Sequence, residues 1–171
     1  NPFYAEISKT VQEKLYETGC NTFIVNTNDD VDLEKVLMRE LIQRSIDGMI
    51  IAPSNNIKGL IPILLETHIP VVLTDRPGDE NADFVGVDNK LESKKLIESF
   101  SIKPKRLVAL VPSPSNVSTI QDRIEGTKEA CESFGIEFSY IDLNLDPDEI
   151  DMHIAKEIEL GTDSFVTLNN R

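Results

Sequence analysis

The stretch from Ile69 to Asn89 constrains this chain more than any other. It holds two short apolar runs, residues 71–73 and 84–87, and each ends abruptly in charged or amide side chains. Asp75 and Arg76 close the first run, Asp88 and Asn89 the second. Short β-branched runs bounded by Pro, Gly, Asp and Asn read as strands buried on both faces. In an open parallel sheet the ligand binds beyond the carboxyl ends of the strands. These polar side chains therefore stand where such a sheet would hold a small hydroxylated molecule.

The flanking sequence repeats the pattern. Pro2 fits the first turn of a helix whose inner face is Ile7, Val11 and Leu15, with Gly19 as its stop. A strand is expected at 22–25, then a helix capped by Asp32 with Val36, Leu37, Leu41 and Ile42 inward. A strand follows at 49–52, a helix at 57–66 and another at 90–100. The basic, Pro-containing segment 102–106 changes the texture and reads as a connector. A second series follows it: strand 107–111, helix 119–134, strand 138–141, helix 148–160 and strand 165–168. This β-α alternation with short loops predicts an α/β architecture with parallel sheets flanked by helices. The expected organisation is an N-terminal lobe over 1–101, a connector over 102–106 and the start of a C-terminal lobe over 107–171.

Polar residues gather at one end of these strands: Asn26, Asn28, Ser54, Asn55, Asp75, Arg76, Asp88, Asn89, Asn116, Thr119 and Asn169. The turns at the opposite end carry Gly19, Gly48, Pro70, Pro104, Gly135 and Gly161. Asn, Asp and Ser serve as helix caps, and capping accounts for Asn28, Asp32 and Ser54. Arg76 and Arg123 have no such use, because a positive charge is unfavourable near a helix N-terminus. They need an anionic or hydroxyl partner.

Composition excludes several function classes. A net charge of −13 argues against nucleic-acid contact by this chain, which would need clustered Lys and Arg. No apolar stretch approaches the length of a membrane span. Cys20 and Cys131 lie far apart, without the spacing of a metal or redox motif. Neither a Gly-rich phosphate loop nor the GxSxG or HExxH motif occurs, and no carboxylate pair stands out as an acid and base. His68 and His153 read as surface residues. No cofactor and no enzymatic activity are expected.

Five segments in order carry a resemblance. The opening Asn1-Pro2-Phe3-Tyr4, "IDGMIIAPS" at 46–54, "IPVVLTDR" at 69–76, "VGVDN" at 85–89 and "RIEG" at 123–126 occur at compatible spacing. Together they resemble the sugar-binding core shared by lactose-repressor-type (LacI/GalR) regulators and ribose-type periplasmic binding proteins. Asn169-Asn170-Arg171 stands where that family has Asn-Asp-Arg or Asn-Asp-Glu. The resemblance implies two Rossmann-like lobes with the ligand in the cleft between them. It also implies that a first strand precedes Asn1 and that the second lobe continues past Arg171. The 171 residues are then a portion of a longer chain, expected not to fold stably alone.

Carried over residue by residue, the resemblance implies that Asn1 bonds a sugar hydroxyl and that Phe3 and Tyr4 stack on sugar faces, one of the two packing instead on its own helix. Asp75 and Arg76 form a forked acceptor-donor pair for adjacent hydroxyls. Thr119, Arg123 and Asn169 line the cleft from the second lobe. A sugar offers apolar C–H faces to aromatics and paired hydroxyls to planar bidentate groups, which suits this set. The implied protein is a cytoplasmic, dimeric transcriptional regulator. It would bind a monosaccharide here and operator DNA through a helix-turn-helix module outside this chain, with no membrane partner. The alternative is a periplasmic sugar-binding protein of a transport system. Two cleft arginines, one beside Asp75, suit a neutral sugar better than a phosphorylated one.

Overall fold

A computed structural model describes residues 2–54, 64, 67–78, 82–112 and 116–169. In chain order the elements are α1 (Pro2–Glu17), α2 (Val31–Gln43), β1 (Met49–Ile51), β2 (Val71–Thr74), β3 (Asp83–Val85), α3 (Asn89–Glu98), β4 (Arg106–Val111), α4 (Ser118–Phe134), β5 (Glu137–Asp142), α5 (Pro147–Glu159) and β6 (Ser164–Thr167). They build two three-stranded sheets, ordered β1-β2-β3 and β5-β4-β6. Every pairing is parallel. The predicted α/β class with helix-flanked parallel sheets is what forms.

The central strand of each sheet carries fully covered residues: Leu73 of β2, and Leu107, Val108, Ala109 and Val111 of β4. In the first sheet, Met49, Ile51 and Leu73 pack with Met38 of α2 and with Leu64. Burying a side chain of this size contributes about 1.5–3 kcal/mol, so these few residues hold the layer together. The helix expected at 57–66 falls almost wholly outside the described residues.

Two expectations are corrected. Residues 22–25 form no strand, and Phe23, Ile24 and Val25 are exposed. A strand needs a neighbour to complete its ladder, and the sheet ends at β1 without reaching this segment. In α2 the inner stripe is Glu34, Met38, Leu41 and Ile42, while Val36 faces outward. Its cap is Asp30, whose side chain accepts from the N–H groups of Asp32 and Leu33, so Asp32 lies inside the first turn.

The packing of α3 bears on the lobes. Helix α3 falls within the expected N-terminal lobe, 1–101, and its Ile97 is buried among Leu107, Ala130, Cys131 and Ile136 of the second sheet's layer. Along its length α3 lies against α4. Lys90 pairs with Glu125 (3.1 Å) and Glu129 (2.7 Å), and Lys94 also pairs with Glu129. Gly126 makes this closeness possible, since a Cβ there would stand 2.1 Å from the carbonyl oxygen of Lys90. The basic segment 102–106 also has a local use. Lys103 Nζ donates to the carbonyls of Ile97 (3.2 Å), Glu98 (2.8 Å) and Phe100 (2.7 Å) and sits 4.5 Å over the Phe134 ring. That is the chemistry of a helix C-terminus, where a cation satisfies the last carbonyls.

Candidate functional site

The polar residues at the strand ends assemble into two groups. The first lies at the carboxyl ends of β1 and β2. Asp75 directly follows β2 with a φ of 63°, a left-handed conformation in which Asp is several-fold enriched. Its N–H donates to the Val85 carbonyl (3.2 Å), tying the turn to β3. The bend aims the carboxylate at α1, where the Tyr4 hydroxyl donates to Oδ2 at 2.6 Å. Phe3 meets Tyr4 edge-on, with ring centroids 5.3 Å apart, and remains 46% exposed. Tyr4 is thus the aromatic held in the polar network.

Arg76 turns away from the expected fork. Its NH1 donates to Asp29 Oδ1 (2.5 Å) and to the Pro53 carbonyl (3.1 Å), and its NH2 approaches Asp29 Oδ2 at 3.4 Å. Nε lies 3.9 Å from Asp75 Oδ2, beyond hydrogen-bond reach. The side chain is 9% exposed, and Nε is buried with no hydrogen-bond partner among the described residues. Burial alone would lower the guanidinium's pKa. The Asp29 hydrogen bond and the charges of Tyr4, Asp29 and Asp75 outweigh it, and the net direction is upward. Nearby, Glu34 of α2 accepts from the Ser54 N–H (3.1 Å) and from its hydroxyl, with both residues buried. Ser54 therefore anchors the end of β1 to α2.

Burial, then the Asp75 hydrogen bond, push the Tyr4 phenol from 10.0 up to about 12, with Arg76 pulling the other way. A raised folded-state pKa favours the neutral phenol. Its stabilisation is complete below the ordinary value of 10.0 and is lost as pH rises through about 12. Ultraviolet difference titration should show a late tyrosine step that Tyr4→Phe removes and Asp75→Asn moves to lower pH. Loss of a step centred near the ordinary value of 10.0 in Tyr4→Phe would contradict this.

The second group joins α3 to the second sheet. Arg123 of α4 donates from Nε to Asn89 Oδ1 (2.8 Å) and from NH1 to the Leu168 carbonyl (2.7 Å). Asn89 is buried and donates to the Val87 carbonyl (3.1 Å), and Asp88 caps α3 by accepting from the Leu91 N–H (2.9 Å). Asn169 follows directly on Leu168, so Arg123 sits at the carboxyl end of β6. Thr119 is buried in the first turn of α4 beside Ile120. Asn1 and Asn170 lie outside the described residues. The structure thus joins Tyr4, Asp75 and Arg76 in one group and holds Arg123 beside the β6 end in the other. Sequence reading missed Asp29 and the partnership of Asn89 with Arg123. The signal for Asp29 was a second acid beside Asp30, where one suffices as a cap.

Both groups lie at carboxyl strand ends, where parallel sheets bind ligands. Among the described residues, no cluster of three His, Cys, Asp or Glu side chains could hold a metal ion, and no helix is long and apolar enough to cross a membrane. Residues 1–156 match the family described as periplasmic binding proteins and the sugar-binding domain of the LacI family. The chain belongs to this family. Among its curated relatives is a ribose operon repressor of Halalkalibacterium halodurans, 28% identical over 134 residues, or 77% of this chain and 39% of that protein. The HTH-type transcriptional repressor PurR of Aliivibrio fischeri is 26% identical over 81% of this chain and 42% of its own length. The chain thus spans about two fifths of the curated relatives it matches.

Solved structures agree on the fold. The Cra regulator of Pseudomonas putida, in complex with fructose 1-phosphate, superposes with a TM-score of 0.78 at 23% identity, covering 98% of this chain and 64% of that one. The Caulobacter myo-inositol binding protein, bound to myo-inositol, gives 0.78 at 18% identity, covering 98% and 62%.

Proposed function

We propose that this chain is the effector-binding region of a LacI-family transcriptional regulator that responds to a monosaccharide or related polyol. The observation that carries the reading is the Tyr4–Asp75–Arg76 network, set beside an exposed Phe3 at the strand ends of a family member whose curated relatives are HTH-type repressors. In this reading Phe3 covers the sugar's C–H face while Asp75 accepts from a hydroxyl. Arg76 Nε donates one hydrogen bond, and Arg123, Thr119 and Asn169 close from the other side. Asn1 is assigned a hydroxyl contact on the family resemblance. The packing of α3 on α4 supports a lobe boundary near residues 86–88 in place of 102–106.

Operator DNA would be bound by a module outside this chain, in a cytoplasmic homodimer. Effector binding would then shift the geometry of that dimer through a coupling of about 1–3 kcal/mol. The regulator reading is favoured over a periplasmic transport protein because the curated relatives are regulators. A thermal-shift screen of monosaccharides and polyols on the full-length protein tests it. A true effector at one hundred times its Kd should add about 2.7 kcal/mol of stability. Operator binding that changes with the same ligand is the second expected result. A protein stabilised by no sugar or polyol contradicts the reading.

A further inference from the structure

The charge balance around Arg76 restricts which ligands the first group admits. Two carboxylates, Asp29 and Asp75, stand beside a single guanidinium. Asp29 engages both terminal nitrogens of Arg76, and the Pro53 carbonyl takes a further bond from NH1. Nε is buried and is the one guanidinium nitrogen without a hydrogen-bond partner among the described residues. A phosphate or carboxylate is recognised by the opposite arrangement: a free guanidinium fork offering two parallel N–H bonds, with positive charge in surplus. A hydroxyl group, by contrast, can accept from one N–H and donate to a carboxylate. Asp75 offers acceptor capacity for that purpose beside its bond from Tyr4.

Arg123 does not reverse this balance. Its Nε and NH1 are already engaged by Asn89 and the Leu168 carbonyl, which hold it to the protein's own acceptors. The net charge of −13 further opposes the approach of anions.

We propose that Asp29 is a specificity-determining residue that occupies the terminal face of Arg76 and offsets its charge, so that the site takes uncharged polyhydroxylated ligands and rejects their phosphate esters. The proposal rests on reading the first group as the effector site. Asp29 acts through Arg76 and is a positioning residue: it need not touch the ligand to decide its charge class. Its φ of 63° and half-exposed side chain make Asn a tolerated replacement. Asn keeps one acceptor for Arg76 and removes the negative charge.

The test uses the full-length wild type and Asp29→Asn with paired probes: D-ribose and ribose 5-phosphate, D-fructose and fructose 1-phosphate, myo-inositol and its 1-phosphate. Calorimetry gives each affinity, and unliganded melting confirms that the variant is folded. In wild type the free compound of the responding pair should bind at least about tenfold more tightly than its ester. Asp29→Asn should shift that ratio about tenfold toward the ester. A wild type that binds the ester as tightly as the free compound overturns the proposal and leaves the effector-site reading intact, even if the variant does not fold. An unchanged ratio in a folded Asp29→Asn does the same. Failure of the effector-site reading shows separately, as a full-length protein that no sugar or polyol stabilises in the wider thermal-shift screen.

Discussion

Gly126→Ala should destabilise the protein by about 3 kcal/mol or more, at the upper end of what overpacking typically costs. The sign is the informative part. In an exposed helix interior the same change stabilises by about 1 kcal/mol, because alanine is the better helix former. Here the added Cβ would stand 2.1 Å from the Lys90 carbonyl oxygen, 2.9 Å from its carbonyl carbon and 3.0 Å from its Cα. All three are backbone atoms in the first turn of α3, so no side-chain rotation relieves the clash. The helices must separate instead. The Lys90 and Lys94 pairs with Glu125 and Glu129 are mostly surface contacts, each worth roughly 0–1 kcal/mol, and cannot hold the helices together.

Separation would also reach the candidate site. Gly126 lies three residues after Arg123 and so on the same face of α4, and Lys90 follows Asn89, which Arg123 binds. Pushing Lys90 outward displaces the partner of Arg123. Urea denaturation of the full-length protein should show a lower midpoint for Gly126→Ala, together with a weaker response to effector. A midpoint at or above that of wild type would mean that α3 and α4 do not meet as described.

Which parts of this molecule were legible in the sequence depends on how local each determinant is. The polar ends of β2 and β6 and the helix stops at Gly19, Gly135 and Gly161, all at positive φ, follow from residue type and immediate neighbours. The run Phe23-Ile24-Val25 has strand composition, but a ladder requires a neighbour, and sequence composition does not supply one. For α3, periodicity announced an apolar face without naming the layer that covers it. The basic texture of 102–106 reads as a connector, and within it Lys103 is the cation that closes α3. Arg76 and Arg123 were recognised as needing partners. The partners lie 47 and 34 residues away in sequence, at distances only the fold sets.

Arg123→Ala should abolish effector response, with affinity reduced by about 100-fold or more, and should also lower stability by about 2–3 kcal/mol. The stability loss follows from what Arg123 holds. Asn89 and Leu168 are both buried, and without the guanidinium the Asn89 side-chain oxygen and the Leu168 carbonyl lose their donors. Each buried acceptor left unsatisfied costs about 1–3 kcal/mol, although water entering the space recovers part of that. Arg123→Lys offers a single ammonium in place of a planar fork. It can reach one acceptor but not hold both in register, so an intermediate loss is expected. The structural and ligand roles separate in a double-mutant cycle with Asn89→Ala. The stability effects of the two substitutions should be coupled by about 1 kcal/mol, because they break the same bond. If Arg123 also contacts the effector, its alanine variant should lose more affinity than Asn89→Ala, measured below both melting temperatures. Equal affinity losses would make Arg123 a tie between α4, α3 and β6 that shapes the site without touching the ligand. Unchanged affinity in Arg123→Ala would remove it from the site and leave recognition to Phe3, Tyr4, Asp75 and Arg76.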